Sequence, residues 1–263
     1  MINESNVERF SGFVDCYDKF RPVPPKIIVE NIIQYIGRKP EIVADLGCGT
    51  GLSTFIWSEY AHEVIGIEPN QDMINKAKGK CNKENVIFNL GYGNDTKLES
   101  DKVDVVTFSS SFQWMEPEST IKEVSRILVE GGIMAIYNHD QPPTIDWVVE
   151  KTYKELFHEI YAILDCNHEN KCKLWTIGEY LDTMRKSNNF RFIREFVVHS
   201  KLKMGAKEFI GFAESQGAFQ KIIKENIPEI NEKIRGFKEI VMERLGEKKV
   251  DCTFGYRVRI GIK

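Results

Sequence analysis

Val43-Ala44-Asp45-Leu46-Gly47-Cys48-Gly49-Thr50-Gly51 decides how the rest of the chain is read. A short apolar run ends in an acid, and three glycines follow at alternate positions. Glycine adopts backbone angles closed to other residues, so this pattern lets a strand turn sharply and lets a ligand approach the main chain. The register narrows the ligand. A dinucleotide fingerprint, G-x-G-x-x-G/A, would set its third small residue at position 52, which is Leu52, and the third glycine comes one residue early. No Lys-Ser/Thr pair follows the turn, as a triphosphate loop requires. Asp45 at the mouth of the turn would repel a pyrophosphate and attract a cation. The turn therefore predicts a cationic, phosphate-free ligand near Asp45, Gly47, Cys48, Gly49 and Gly51.

Outward from this turn, residues 41–138 alternate strand and helix. Strands are expected at 42–44, 64–67, 86–88, 103–108 and 133–137. Helices are expected at 52–60, 72–80 and 119–129, the last stopping at Gly131-Gly132. The strands are largely apolar, as they are when helices cover both faces of a parallel sheet. Glu68 ends the second strand in Gly66-Ile67-Glu68-Pro69-Asn70. A carboxylate there can accept from both hydroxyls of a ribose, or it is a surface acid at a strand end.

Before the turn, a lid precedes a helix that starts at Pro24-Pro25 and carries an apolar stripe of Ile28, Ile32, Ile33 and Ile36. After residue 140 the rhythm changes. Helices are expected at 145–165, 176–186, 206–213, 218–225 and 229–245, with strands at 192–199 and 253–262. The predicted fold class is α/β: a doubly wound, mostly parallel seven-stranded sheet with a helical cap. Residues 1–40 form the lid and first helix, and 41–140 the ligand-binding core. Residues 141–190 form a helical cap insertion, and 191–263 the returning strands with further cap helices. The cap would sit over the carboxyl edge, where open α/β sheets bind ligands.

With 42% hydrophobic and 29% charged residues among 263, the chain has ordinary globular composition. A net charge of −3 offers no general attraction for nucleic acid or an anionic membrane. The first residues are polar and acidic, unlike a secretory signal, so a cytoplasmic location is expected. Six cysteines without a CxxC pair read as reduced thiols. Cys166-Asn167-His168-Glu169-Asn170-Lys171-Cys172 offers three soft ligands where a structural zinc site takes four. A connecting loop, and no metal, is expected there.

In order along the chain, residues 43–51, Gly66-Ile67-Glu68-Pro69-Asn70, Asp104-Val105-Val106 with Phe112-Gln113-Trp114, and Arg126-Ile127-Leu128-Val129-Glu130-Gly131-Gly132 resemble the motifs of class I S-adenosylmethionine-dependent methyltransferases, enzymes with a Rossmann-like fold. The resemblance is nearest to the branch of trans-aconitate methyltransferases and related small-molecule enzymes. There Phe-Gln-Trp follows the fourth strand, and Tyr-x3-Arg-Pro, here Tyr17 to Pro22, precedes the first. It implies S-adenosylmethionine as cofactor, with Asp45 and the glycine backbone facing its methionine part. Glu68, flanked by Pro69 and Met73, would take the ribose, and Ser109 would lie near the ammonium. Arg21 would pair with the methionine carboxylate, whose shape a guanidinium fork matches, or would lie at the surface. One departure concerns the adenine loop, often glycine, any residue, alanine, then an acid. Here it is Gly91-Tyr92-Gly93-Asn94-Asp95. Asn94, beside Gly93, both donates and accepts and can still read the adenine amino edge; Asp95 is the second candidate.

Methyl transfer from a sulfonium is an in-line displacement, so the protein has to align the reactants and exclude water. A carboxylate acceptor needs no base, whereas an amine, phenol or carbon acid does. His139 is the expected base if one is used, or else an ordinary loop histidine. Gln113 and Trp114 would offer the acceptor an amide and an aromatic wall; Tyr17 either joins that wall or packs. In place of an Asn/Asp-Pro-Pro-Tyr motif the chain has Ser109-Ser110-Ser111-Phe112. The aromatics Trp147, Tyr153, Phe157, Tyr161, Trp175, Phe209, Phe212 and Phe219 either enclose an acceptor pocket or form plain core. A small organic acceptor, with a carboxylate among the options, is expected over nucleic acid or protein. The rivals are a nicotinamide-dependent oxidoreductase, opposed by the glycine register and Asp45, and a non-catalytic protein that binds the same cofactor.

Overall fold

The computed structural model describes residues 4–166 and 174–263. Strands β1 (Ile42–Leu46), β2 (Glu63–Glu68), β3 (Val86–Leu90), β4 (Val103–Ser109), β5 (Leu128–His139), β6 (Phe192–Met204) and β7 (Val250–Ile262) form one sheet. Their order is β3-β2-β1-β4-β5-β7-β6. The first five pair in parallel, and β7 runs antiparallel between β5 and β6. This is the expected doubly wound, mostly parallel seven-stranded sheet. The strand order reverses between β1 and β4, which opens a crevice at their carboxyl ends.

Helices α1 (Glu4–Glu8), α2 (Val14–Phe20), α3 (Lys26–Ile36), α4 (Thr54–Trp57), α5 (Gln71–Lys80) and α6 (Pro117–Ile127) accompany the first half. Helices α7 (Trp147–Cys166), α8 (Tyr180–Lys186), α9 (Ala206–Glu214), α10 (Gly217–Lys224) and α11 (Pro228–Leu245) belong to the second. Local chemistry sets several starts. Asn70 Oδ1 accepts from the N–H groups of Asp72 and Met73 at the head of α5. Glu116 does the same for Glu118 and Ser119 at α6, where Pro117 has no N–H that needs an acceptor.

Two apolar clusters sandwich the sheet. One joins α3, α4, α5 and the late helices to the face carrying Val43, Val105 and Val258. The other joins α6 and α8 to the face carrying Ala44, Val106 and Ile136. Burying each large side chain removes apolar surface worth about 1.5–3 kcal/mol, and Val43, Trp57, Val105 and Phe108 are fully inside. Residues 141–190 divide between the layers: α7 packs against α11 and α10. By contrast, α8 puts Tyr180 and Met184 into the second cluster, beneath the sheet.

Several boundaries differ from expectation. The helix read at 52–60 is only α4, and two short helices occupy the lid. The helix read at 119–129 ends at Ile127, and Gly131-Gly132 lies inside β5. Gly131, at φ 78°, absorbs a register jump in which Val103 pairs with Leu128 but Val105 with Ile133, so the glycines make a strand irregularity. β6 and β7 both run longer than read. The outer end of β6, Ser200-Lys201-Leu202-Lys203, is held by pairing to β7 although little of it is apolar.

Among the described residues no helix is long and apolar enough to cross a membrane, and no cluster of His, Cys, Asp or Glu suits a metal ion. Cys16, Cys48, Cys81 and Cys252 are free thiols. The sequence between Cys166 and Cys172 falls outside the described residues.

Candidate functional site

The turn after β1 is fastened to the end of β2: the N–H groups of Gly47 and Cys48 both donate to the carbonyl of Ile67, at 2.7 and 3.1 Å. Gly47 and Gly49 sit at φ 70° and 56°, where a side chain is strained. A Cβ on Gly47 would also lie 2.6 Å from Ser111 Cβ and 2.9 Å from Met115 Cε, whereas one on Gly49 would meet only the Tyr17 ring and hydroxyl at 3.8 Å. Gly49 is thus the open position. Gly51 serves packing, since its Cβ would strike the rings of Phe88 and Phe55.

Glu68, at the tip of β2, faces this turn. Its Oε2 accepts from Gly49 N at 3.0 Å and its Oε1 from Asn70 N at 2.9 Å. A carboxylate offers about four lone-pair positions, so two remain for a ligand. Glu68 is buried, and this burial raises its pKa to about 7 against the pull of the two N–H donors.

Asp45 departs from expectation. It is fully buried, and its two oxygens accept from Thr54 Oγ1 and Thr107 Oγ1, both at 2.7 Å. Burial lifts its pKa to about 6. It joins β1, β4 and α4 from inside and is absent from the cavity wall. Its charge still acts on Tyr17, Cys48 and Glu68 nearby.

Between the turn, the lid and β4 lies a solvent-open cavity with about 880 Å³ of empty space. Ten sequence candidates line it: Gly47, Gly49, Glu68, Pro69, Met73, Gly93, Asn94, Ser109, Tyr17 and Trp114. Cys48, Gly51, Arg21, Gln113 and His139 are not in its wall, and neither is Asp45. At the far end Asn94 is in the wall, while Asp95 points out and pairs with Lys97 at 2.6 Å. Met115 reaches across: a Cβ on Gly93 would lie 2.5 Å from its Sδ.

Gln113 is a brace. Its Nε2 donates to Ser110 O at 2.8 Å, its Oε1 accepts from Asn138 Nδ2 at 3.2 Å, and its carbonyl accepts from Trp175 N at 3.0 Å. It thereby holds Ser110, which sits at φ 52° in the cavity wall.

Sequence reading missed the lid's contribution. Asn6, Val7 and Phe10 line the cavity. Asn6 Nδ2 donates to Trp114 O at 3.0 Å, and the Arg9 guanidinium lies 3.9 Å over the Trp114 ring. Asn70 Nδ2 donates to Val7 O and Ser11 Oγ, while Asp15 and Asp18 pair with Lys76 and Lys80. These partners sit on α5, some sixty residues later in the chain. Ser110, Ser111, Met115, Glu116 and Thr120 also line the wall.

Arg21 lies behind Tyr17, its guanidinium 5.1 Å over that ring. His139 is half-buried and packs against Phe212, Phe254 and Tyr256, with ring centroids 5.6–5.9 Å away. Burial, and then the Arg21 charge, pushes its pKa down to about 3. A base so weak takes up a proton poorly near neutrality. Of the cap aromatics, Tyr153, Phe157, Phe209, Phe212 and Phe219 are core, Trp147 is exposed, and Trp175 lines the cavity.

Residues 44–136 match the family model described as a methyltransferase domain. Over 136 residues the chain is 29% identical to a Saccharomyces cerevisiae protein named "Probable S-adenosylmethionine-dependent methyltransferase", covering 50% of this chain and 47% of that protein. The chain thus spans about half the length of the yeast relative. It is 23% identical over 231 residues to a Dictyostelium discoideum protein named "Putative methyltransferase", covering 86% and 84%. A solved chain from Anaeromyxobacter dehalogenans, described as "a Putative Type II Methyltransferase", superposes with a TM-score of 0.65 at 18% identity, covering 92% and 98%. The sheet order and this likeness identify the Rossmann-like methyltransferase fold.

Proposed function

We propose that this chain, built around a methyltransferase domain at residues 44–136, moves a methyl group from S-adenosylmethionine to a small organic acceptor. One observation carries the reading. The cavity beside the glycine turn is lined by two acids, Glu68 and Glu116, and by no lysine or arginine among the described residues. Such a wall suits an ammonium and a sulfonium, and offers a pyrophosphate no cation to offset the two acids.

The residues fit the cofactor by their chemistry. Glu68 has two unused lone-pair positions for the ribose hydroxyls, and Asn94 offers both donor and acceptor to an adenine edge. Gly49 and Ser109 border the end where a methionine moiety belongs, with Pro69 and Met73 beside the ribose position. When bound, the cofactor supplies a methyl group on a sulfonium, ready for displacement. The chain's part is alignment and exclusion of water: Tyr17, Phe10 and Trp114 wall the cavity, and the α1 and α2 latches keep the wall in place. With Glu68 given to the ribose, none of the other described wall residues is a ready general base, which favours an acceptor already anionic. The finer kinship with trans-aconitate methyltransferases, resting on Phe112-Gln113-Trp114 and Tyr17 to Pro22, and the cytoplasmic location are parts of the same proposal.

Calorimetric titration with S-adenosylmethionine, S-adenosylhomocysteine and NAD tests it. Binding of the first two without the third is expected; binding of NAD alone overturns the reading. Release of S-adenosylhomocysteine against a panel of small acids, phenols and amines separates an enzyme from a binding protein.

A further inference from the structure

Thr120 carries a hydroxyl that the fold leaves unused. It stands in α6, 0% exposed, and its Oγ1 has no hydrogen-bond partner. A threonine in a helix can turn its hydroxyl back to the carbonyl four residues earlier. Thr152 and Thr183 do so, donating to Val148 O and Glu179 O, both at 2.9 Å. At Thr120 that carbonyl, Glu116 O, accepts the backbone N–H of Thr120 at 3.1 Å, and the hydroxyl does not join it. Among the described residues, this is the one buried side-chain atom without a partner that belongs to the cavity wall.

The setting of α6 fixes which part of the wall this is. Glu123, one turn further on, accepts from Thr96 N at 2.9 Å and from Thr96 Oγ1 at 2.6 Å. That fastens the helix to the loop whose Tyr92, Gly93 and Asn94 line the cavity. Met115, just before the helix, lies against Gly93. Thr120 therefore borders the end of the cavity where an adenine belongs. A buried hydroxyl without a partner is costly unless a ligand supplies one. Adenine has three ring nitrogens with free lone pairs, which only accept, and an amino group, which donates. The Asn94 amide oxygen suits the amino group, and a hydroxyl can donate to a ring nitrogen. Water does not reach Thr120, so a base reaches it by displacing a neighbour. Met115 is the flexible side chain there: Cβ positions on Gly93 and Gly47 lie only 2.5 and 2.9 Å from its Sδ and Cε.

Resting on the methyltransferase reading, we propose that Thr120 is a cofactor-binding residue, whose hydroxyl donates to a ring nitrogen of the adenine once Met115 has moved aside.

The test titrates the intact protein with S-adenosylhomocysteine and with its 1-deaza, 3-deaza and 7-deaza analogues, each of which has C–H in place of one ring nitrogen. One analogue is expected to bind wild type about five- to tenfold more weakly than the parent compound, the worth of one hydrogen bond. In Thr120→Val the parent compound weakens by a similar factor and that analogue's handicap disappears; Thr120→Ser, which keeps the hydroxyl, retains it. Ligand-free Thr120→Val unfolds in urea at a midpoint no lower than wild type, because the group it loses is unpaired. Equal affinity of wild type and Thr120→Val for S-adenosylhomocysteine overturns the proposal, as does an analogue pattern that is the same in both. A lower urea midpoint, or a valine variant that fails to fold, overturns it too, since the hydroxyl would then have a partner inside the protein. Failure of the wild type to bind S-adenosylhomocysteine overturns instead the reading on which this one rests.

Discussion

Glu68 Oε2 accepts the backbone N–H of Gly49 at 3.0 Å, tying the tip of β2 to the most open residue of the glycine turn. One carboxylate thus shapes the turn and keeps lone pairs for a ligand. Glu68→Gln keeps the volume but halves the acceptor capacity and removes the charge. Affinity for S-adenosylhomocysteine is expected to fall by about 1.5–3 kcal/mol, the worth of hydrogen bonds to a charged group. Calorimetry checks this, and unchanged affinity removes Glu68 from the site.

Burial raises Glu68 to about 7 and Asp45 to about 6, each above its unfolded value. The native state then holds protons that the unfolded chain releases. Stability from these groups is complete below about pH 4 and is lost as pH rises to about 7. Ligand-free protein is expected to show a falling denaturation midpoint across that window. Because the ionised form of Glu68 accepts from the ribose, the stabilisation by S-adenosylhomocysteine should be larger at about pH 8 than at about pH 6. A ligand effect independent of pH contradicts this.

Met115 Sδ lies 2.5 Å from the place where a Cβ on Gly93 would stand. Methionine is flexible, so Gly93→Ala should displace its end at a modest cost in stability. The displaced group takes room from the cavity, and adenosyl affinity should fall. Met115→Ala in the same chain is expected to restore it. Equal affinity in wild type and Gly93→Ala would show that the displaced methionine leaves the cavity clear.

Asp45 holds two threonine hydroxyls inside the sheet. Asp45→Ala orphans both and should lower the unfolding free energy by about 1–3 kcal/mol. Asp45→Asn keeps an acceptor oxygen and removes a charge that burial disfavours, so its cost is smaller. Urea unfolding of the two variants gives the comparison; equal midpoints would mean that the hydroxyls re-pair elsewhere.

By itself the sequence determined the parallel core. Apolar strands and the spaced glycines are local signals, and each strand position follows from its own few residues. Glu68 was legible for the same reason: a strand end and the turn it faces are adjacent elements in one repeating unit. Ser109, Asn94 and Trp114 likewise stand at the strand ends and the following turns of that unit.

Tertiary structure decided how Asp45, Arg21, Met115 and the lid are used. Asp45 looked like the mouth of the turn, but the alternation of β1 points its side chain into the sheet face beneath α4, where Thr54 and Thr107 converge. The lid residues Asn6, Val7 and Phe10 carry no motif; Asn6 and Phe10 acquire their place through Trp114, and Val7 through Asn70. Arg21 was marked by its Tyr-x3-Arg-Pro setting, yet its surroundings come from α7, α9 and β7, more than a hundred residues later in the chain. A strand or a turn is written in neighbouring residues; the partner of a buried charge is set by packing between distant ones, which no local pattern records.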